Sequence, residues 1–475
     1  MLFNSLQFAI FFIVVVSIYF SIPHRYRWIL LLIASYYFYM CWNAKYIILI
    51  AFSTLVDYFA GLRMSRISEK RKRTKYLVMS LVTNLGLLFT FKYFNFFSRS
   101  VSEFFQAISI PVQPPLLHVL LPVGISFYTF QTLSYTIDVY RGKIPHEKHL
   151  GIFALYVSFF PQLVAGPIER ASNLLPQFYK KMTFDDERIA SGLRLMLWGF
   201  FKKIVVADRL SLYVDSVYGN ISFHSGLTLL VATYLFAFQI YCDFSGYSDI
   251  AIGAARVLGF DLMKNFDRPY FSLTIPEFWR RWHISLSTWF KDYLYIPLGG
   301  NRVPVARMYM NLAIVFVVSG MWHGANWTFI FWGALHGLYI VSSRLSLGFR
   351  DRLVERFRVN KKLVTFSRMF ITFQLVCFAW IYFRADSLAH ANLVVSKIFS
   401  LHWGRLYIPA MDQFVYSLFA VALLLAGDIL LERFNFGAAI LKQPVYVRWA
   451  AYASLAIVIL LIGVFNGSQF IYFQF

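Results

Sequence analysis

Long apolar runs separated by short polar or basic segments dominate the chain. A helix rises ~1.5 Å per residue, so crossing a hydrocarbon core ~30 Å thick takes about 20 apolar residues. On that length the pattern predicts spans near 2–22, 28–43, 45–62, 76–97, 117–139, 151–166, 190–208, 226–243, 308–323, 325–343, 364–383, 411–431 and 448–466, several of them short or broken. The stretch 245–305 is different, because charged and polar residues mix there with Gly246, Gly253, Pro269, Pro276 and Pro297. Irregular backbone at membrane depth is tolerated where protein or a water-filled cavity surrounds it. This stretch therefore predicts re-entrant or interfacial helices lining a cavity, inside an all-α polytopic membrane protein. The first run, Met1 to Phe20, has no basic region before it and no small-residue cleavage pattern near its end, so it reads as a retained span.

Composition narrows the class. Hydrophobic residues make up 59% and charged residues 14% of 475, with mean hydropathy +0.58, against roughly 45–50% and about 25% in ordinary globular chains. A soluble multidomain or disordered protein is excluded. Aromatic residues reach 20%, more than an aliphatic transporter core needs. Cys41, Cys242 and Cys377 lie in apolar or semi-apolar stretches without CxxC spacing, so they read as buried small hydrophobes, with no disulfide framework or metal site.

The net charge of +22 must be concentrated in particular loops, given so few charges. The segment 63–75 holds Arg63, Arg66, Lys70, Arg71, Lys72, Arg73 and Lys75 against Glu69, and 344–368 repeats the bias. The positive-inside tendency makes both cytoplasmic. Three spans precede the first, which places Arg25 and Arg27 inside as well and the N-terminus outside. Contact with anionic headgroups is the preferred reading of these loops, with recognition of an anionic cytosolic ligand behind it. No basic soluble module accompanies them, so nucleic acid is not an expected partner.

Polar and ionisable residues in apolar surroundings are expensive and mark functional candidates. In Val318-Ser-Gly320-Met-Trp322-His323-Gly324-Ala-Asn326-Trp327, glycines four apart permit close helix approach, and a histidine between them has room for a substrate. Its ordinary pKa of about 6.5 suits proton transfer from a hydroxyl near neutrality, although a histidine bonded to a neighbouring carbonyl would look the same. His336 lies thirteen residues further on; in a continuous helix that is ~20 Å, so it is expected to pack or bond between helices and not to share that site. The block Pro276-Glu-Phe-Trp279-Arg280-Arg281-Trp282-His283-Ile-Ser285 suits an interfacial or cavity-lining helix, with Arg280 or Arg281 able to hold a phosphate or carboxylate. Asp243 and Asp249 are expected to make structural bonds to backbone and arginine. The polar residues from Gly124 through Arg170 read as cavity wall and helix packing. GxSxG, HExxH and GxxxxGK[ST] patterns are missing, which lowers the serine, metal and nucleotide hydrolase classes.

Together these segments resemble the membrane-bound O-acyltransferase family, in its bacterial branch acting on exopolysaccharide. The resemblance runs over nearly the whole chain. Its specific parts are Phe278-Trp-Arg-Arg-Trp-His283-Ile-Ser-Leu-Ser-Thr-Trp-Phe290, then Asp292 to Arg302, then Met321-Trp-His323-Gly-Ala-Asn-Trp327, and the C-terminal Phe470 to Phe475. It implies one membrane domain, 1–475, with N-terminal helices over 1–115, a motif-bearing core over 116–345 and C-terminal helices over 346–475. A ring of roughly 11–13 transmembrane helices would surround a central tunnel. The resemblance also implies His323 as the catalytic histidine and His283 as a second catalytic position, meeting in that tunnel, with Trp282, Trp322 and Asn326 as lining and Arg280 and Arg281 as binding residues.

The chemistry implied is acyl transfer from a cytosolic thioester, acetyl-CoA, to a hydroxyl, with no metal and no bound cofactor. The setting implied is a bacterial inner membrane, with an SGNH-hydrolase-like extracytoplasmic partner and an acceptor such as alginate, cellulose or peptidoglycan. D-alanyl transfer from a carrier protein to teichoic acid is the alternative within the family, and a transporter or channel the alternative outside it.

Overall fold

A computed structural model describes residues 1–164, 166–400, 403–434, 440–465 and 470–471. Every regular element among them is a helix. Seven are long and apolar enough to cross a membrane: Ala44–Ser65, Lys70–Ala107, Gly226–Leu258, Val305–His323, Lys361–Arg384, Met411–Glu432 and Val445–Ile462. The all-α polytopic class holds. Other predicted spans are interrupted by their own residues. The run 151–166 becomes Leu150–Ser158 and Phe160–Leu163, because a proline fits the first turn of a new helix better than the interior of an old one and Pro161 starts the second piece. The run 117–139 becomes helical only at Ile125, after Gly124 turns the chain at φ 76°.

The chain divides into two compact units, Met1–Leu193 with Ala251–Met263, and Arg194–Ile250 with Lys264–Phe475. The first is tied by a buried carboxylate. Asp57 accepts hydrogen bonds from the Ser80 hydroxyl, from Asn84 Nδ2 at 2.9 Å and from Thr136 Oγ1 at 3.1 Å. These donors sit on Lys70–Leu88 and Ile125–Arg141, so one acid on Ile47–Ser65 joins three helices. A carboxylate away from water is tolerated only when its oxygens are satisfied in this way.

The second unit carries the motif blocks. Within it Lys202 and Lys203 occupy a π-helical turn, Phe201–Ala207, and both are buried. Lys203 Nζ lies 2.6 Å from Asp243 and 2.8 Å from Asp208, while Lys202 pairs with Asp249. The other oxygen of Asp243 accepts the Ile471 N–H at 2.7 Å. The expectation of backbone and arginine partners is thus corrected: the backbone partner is present, but the cations are lysines. Two lysines in an apolar run need buried counter-charges, and these aspartates supply them. Of the cysteines, Cys242 and Cys377 are buried and Cys41 is exposed, with no disulfide among the described residues.

Val305–His323 and Trp327–Leu345 form an antiparallel hairpin. Gly320 makes the close approach possible, since a Cβ there would run into the Phe329 carbonyl oxygen and meet Gly333. The break falls at residues 324–326, where Asn326 caps the second helix by accepting the Thr328 N–H at 3.0 Å.

Candidate active site

The short helix Ile275–Arg281 starts with Thr274 accepting the Glu277 N–H at 3.2 Å and with proline in its first turn. The chain then turns at Trp282 and His283 and restarts as Ile284–Phe290. His283 sits at the apex with φ 43° and ψ 56°, a left-handed conformation that costs a non-glycine residue about 1–3 kcal/mol unless its surroundings hold it. Asn265 and its neighbours do so. The Asn265 carbonyl accepts the Ile284 N–H at 2.9 Å, and the Asp267 N–H bonds the Arg281 carbonyl at 2.8 Å. The Asn265 side-chain oxygen accepts from the Ser285 N–H at 3.2 Å and the Ser285 hydroxyl at 2.9 Å, while its amide nitrogen donates to the Ser248 hydroxyl at 3.2 Å.

That network sets the tautomer of His283. Its Nδ1 lies 3.2 Å from the same Asn265 oxygen, and an amide oxygen can only accept. Nδ1 therefore carries the proton, and in the neutral ring Nε2 carries the lone pair. Complete burial pushes the His283 pKa down to about 3, which keeps the ring neutral.

His323 ends its helix and is also buried. Its ring centre lies 6.4 Å from that of His283, across an angle of 65°. Trp332 at 4.9 Å, Trp322 at 5.0 Å and Phe383 at 5.6 Å pack around His323. Phe244 at 4.6 Å and Trp322 at 5.9 Å pack around His283. The C-terminal segment contributes Phe470, 5.3 Å from Phe244; residues 472–475 of that motif lie outside the described ones. The indole N–H groups of Trp282 and Trp332 are buried and make no hydrogen bond among the described residues.

The remaining sequence candidates separate. Trp282 and Trp322 are buried beside the histidines. Asn326 is occupied elsewhere: its oxygen caps a helix and its Nδ2 donates to the Asp386 carbonyl at 2.9 Å. Arg281 is committed to Glu277 at 2.9 Å and Glu432 at 3.2 Å, whereas Arg280 is exposed and makes no ion pair among the described residues. His336 accepts the Trp279 indole N–H at 3.2 Å, an interhelical bond. Its expected separation from His323 assumed one continuous helix. Instead the chain folds back, and Trp332 touches both rings at 4.9 Å. No group of three His, Cys, Asp or Glu side chains suited to a metal occurs among the described residues.

Sequence reasoning missed Asn265, Trp332 and Phe383. Asn265 precedes His283 by eighteen residues in a charged stretch, and nothing in its spacing marks it. Trp332 falls on an apolar helix where a tryptophan reads as core.

Two imidazoles in an aromatic box suit chemistry on a hydroxyl, because a neutral imidazole nitrogen can take its proton. Comparison with known proteins agrees with that chemistry. Residues 149–382 match the membrane-bound O-acyltransferase family. A protein named probable alginate O-acetylase from Pseudomonas aeruginosa is 41% identical over 403 residues, covering 84% of this chain and 75% of that protein. The peptidoglycan O-acetyltransferase of Helicobacter pylori is 36% identical over 398 residues, 78% of this chain and 73% of that one. A teichoic acid D-alanyltransferase from Bacillus subtilis is 26% identical over 294 residues, 59% of this chain and 72% of that one.

Proposed function

The chain belongs to the membrane-bound O-acyltransferase family and is a membrane O-acyltransferase, and from that premise we propose that it transfers acetyl groups from acetyl-CoA to a hydroxyl acceptor. The approach of the His283 and His323 rings to 6.4 Å carries the reading. A thioester is already activated, so the enzyme must supply a base, an approach geometry and donors for the developing oxyanion. His323 is the base. Neutral His283, with its proton on Nδ1, has no Nε2 hydrogen to give the thioester carbonyl, and the single proton of the acceptor hydroxyl goes to His323, so His283 serves to orient the acceptor beside that base. Trp282 and Trp322 wall the site, and the indole N–H groups of Trp282 and Trp332 are the available oxyanion donors. Transfer is direct, from thioester to acceptor.

The acceptor lies on, or on the way to, the extracytoplasmic side, and the product feeds O-acetylation of a polysaccharide such as alginate, cellulose or peptidoglycan through an SGNH-hydrolase-like partner. The protein sits in the bacterial inner membrane with its N-terminus extracytoplasmic and both basic loops cytoplasmic. Acetyl transfer is favoured over D-alanyl transfer because the O-acetylating relatives align over 84% and 78% of the chain, against 59% for the D-alanyl relative. The test incubates purified protein with labelled acetyl-CoA and candidate acceptor proteins. Free CoA and labelled acceptor support the reading; consumption of a carrier-bound aminoacyl group with no use of acetyl-CoA overturns it, and substrate flux in proteoliposomes without thioester consumption would mark a transporter.

A further inference from the structure

Two stripes of side chains face each other across a groove. Tyr339, Ser343, Ser346 and Arg350 recur at helical spacing along Trp327–Leu345 and on into Leu347–Arg356, while Val364, Arg368, Ile371 and Leu375 do the same on Lys361–Arg384. Together they line a cavity of about 500 Å³. A second cavity, of about 420 Å³, adjoins it at Tyr339, Ile371 and Leu375, which line both, and continues past Tyr234, Phe378 and Ile381. From Arg368 to Ile381 the helix runs ~20 Å, and one leaflet of a bilayer holds ~15 Å of hydrocarbon. The joined groove is long enough for a lipid acyl chain.

The two ends of the groove differ chemically. At one end Arg350 and Arg368 line the wall with the Ser346 and Ser367 hydroxyls. Arg350 donates to the Ser343 carbonyl at 2.8 Å and makes no ion pair among the described residues. Arg368 pairs with Asp351 at 2.8 Å, so one carboxylate stands against two guanidinium groups. Further along, Gln374 accepts the Tyr234 hydroxyl at 2.6 Å, and Ile371, Leu375, Phe378 and Ile381 leave the wall apolar. Leu347–Arg356, at the cationic end, buries none of its residues. It exposes Leu347 and Phe349 beside Arg352 and Arg356, the composition of a helix lying in a membrane interface.

We propose that this groove binds one anionic glycerophospholipid, its phosphate held by Arg350 and Arg368 and one acyl chain laid along Ile371 to Ile381. A free phosphate would meet the same guanidinium groups but leave the apolar length unfilled. Neither His283 nor His323 lines the groove, so the lipid site stands or falls apart from the acyl-transfer reading.

Native mass spectrometry of the full chain in detergent, titrated with phosphatidylglycerol or phosphatidylcholine, tests this. The native chain retains a single phosphatidylglycerol in preference to phosphatidylcholine. Arg350→Gln with Arg368→Gln raises the Kd for phosphatidylglycerol by about tenfold or more and leaves that for phosphatidylcholine unchanged. Arg352→Gln with Arg356→Gln removes the same charge from outside the groove and leaves both unchanged. Equal weakening by the two pairs, which would mark diffuse attraction to anionic lipid, or no preference in the native chain overturns the proposal. So does displacement of the lipid by an equal concentration of glycerol 3-phosphate, which carries the phosphate without the chains. A second measurement needs no variant: phosphatidylglycerol with a diazirine near the end of one acyl chain labels the native chain within 371–381, and labelling confined to other segments overturns the proposal.

Discussion

The side-chain oxygen of Asn265 lies 3.2 Å from Nδ1 of His283 and also accepts two hydrogen bonds from Ser285. One amide therefore chooses the tautomer of the ring and secures the left-handed turn that presents it. Asn265→Ala removes that oxygen, and losing a hydrogen bond worth about 1.5 kcal/mol corresponds to roughly tenfold in rate. Asn265→Asp keeps the acceptor and restores most of the rate, but its charge favours the imidazolium form. The acid limb of the pH–rate profile then moves to higher pH. Equal losses in both variants with an unmoved profile would reduce Asn265 to a packing residue.

The two histidines serve the same transfer step, so their effects should not add. His323→Ala lowers acetyl transfer by about 10²–10⁴-fold, the range for loss of a general base. His283→Ala lowers it less, and the double variant is no slower than His323→Ala alone. Transfer rates measured at equal protein recovered as a single size-exclusion peak check this. Unchanged transfer by His323→Ala removes it as the base.

Burial of His283 makes stability depend on pH. Its pKa falls from about 6.5 in the unfolded chain to about 3 in the fold, so between those values the unfolded chain binds the extra proton. Stability from this group is complete above pH 6.5 and declines as pH falls toward 3, by about 1.4 kcal/mol per unit. His283→Gln does not titrate. The native thermal midpoint should therefore drop more steeply than that of His283→Gln between pH 6.5 and 5; parallel curves would show that the ring is not desolvated.

Much of the fold was legible because membranes impose a simple rule, that apolar length gives a span; Gly320 marked a tight helix approach, but its partner there is Gly333, and Gly324 falls in the break after the helix. The site was legible in part. His283 and His323 were singled out by polarity within apolar sequence, yet their spacing of 40 residues carries no signal of their meeting; the reversal at Asn326 brings Trp332 onto His323. That same asparagine, read as tunnel lining, is a helix cap, because capping and lining residues have one composition. Asn265 and Trp332 were invisible for opposite reasons: the first looks like a surface polar residue, the second like ordinary core.

The lysine that was hidden in an apolar run makes the last prediction. Lys203 holds Asp208 at 2.8 Å and Asp243 at 2.6 Å, and Asp243 in turn holds the Ile471 N–H at 2.7 Å. Phe470, the preceding residue, packs 5.3 Å from Phe244 and 4.9 Å from Tyr247, and Phe244 lies 4.6 Å from His283. The ion cluster thus fixes the chain that backs the catalytic ring. Lys203→Met removes the cation and leaves two carboxylates buried together, which costs about 3–5 kcal/mol when a buried pair loses one partner. Asp243→Asn leaves Lys203 paired with Asp208 and keeps a side-chain oxygen for Ile471, so it should cost less. The expected order of thermal midpoints is native, then Asp243→Asn, then Lys203→Met, with acetyl transfer falling in the same order. A Lys203→Met protein as stable as native would show that the cluster contributes no net stability and that the C-terminal segment is held by its aromatic contacts alone.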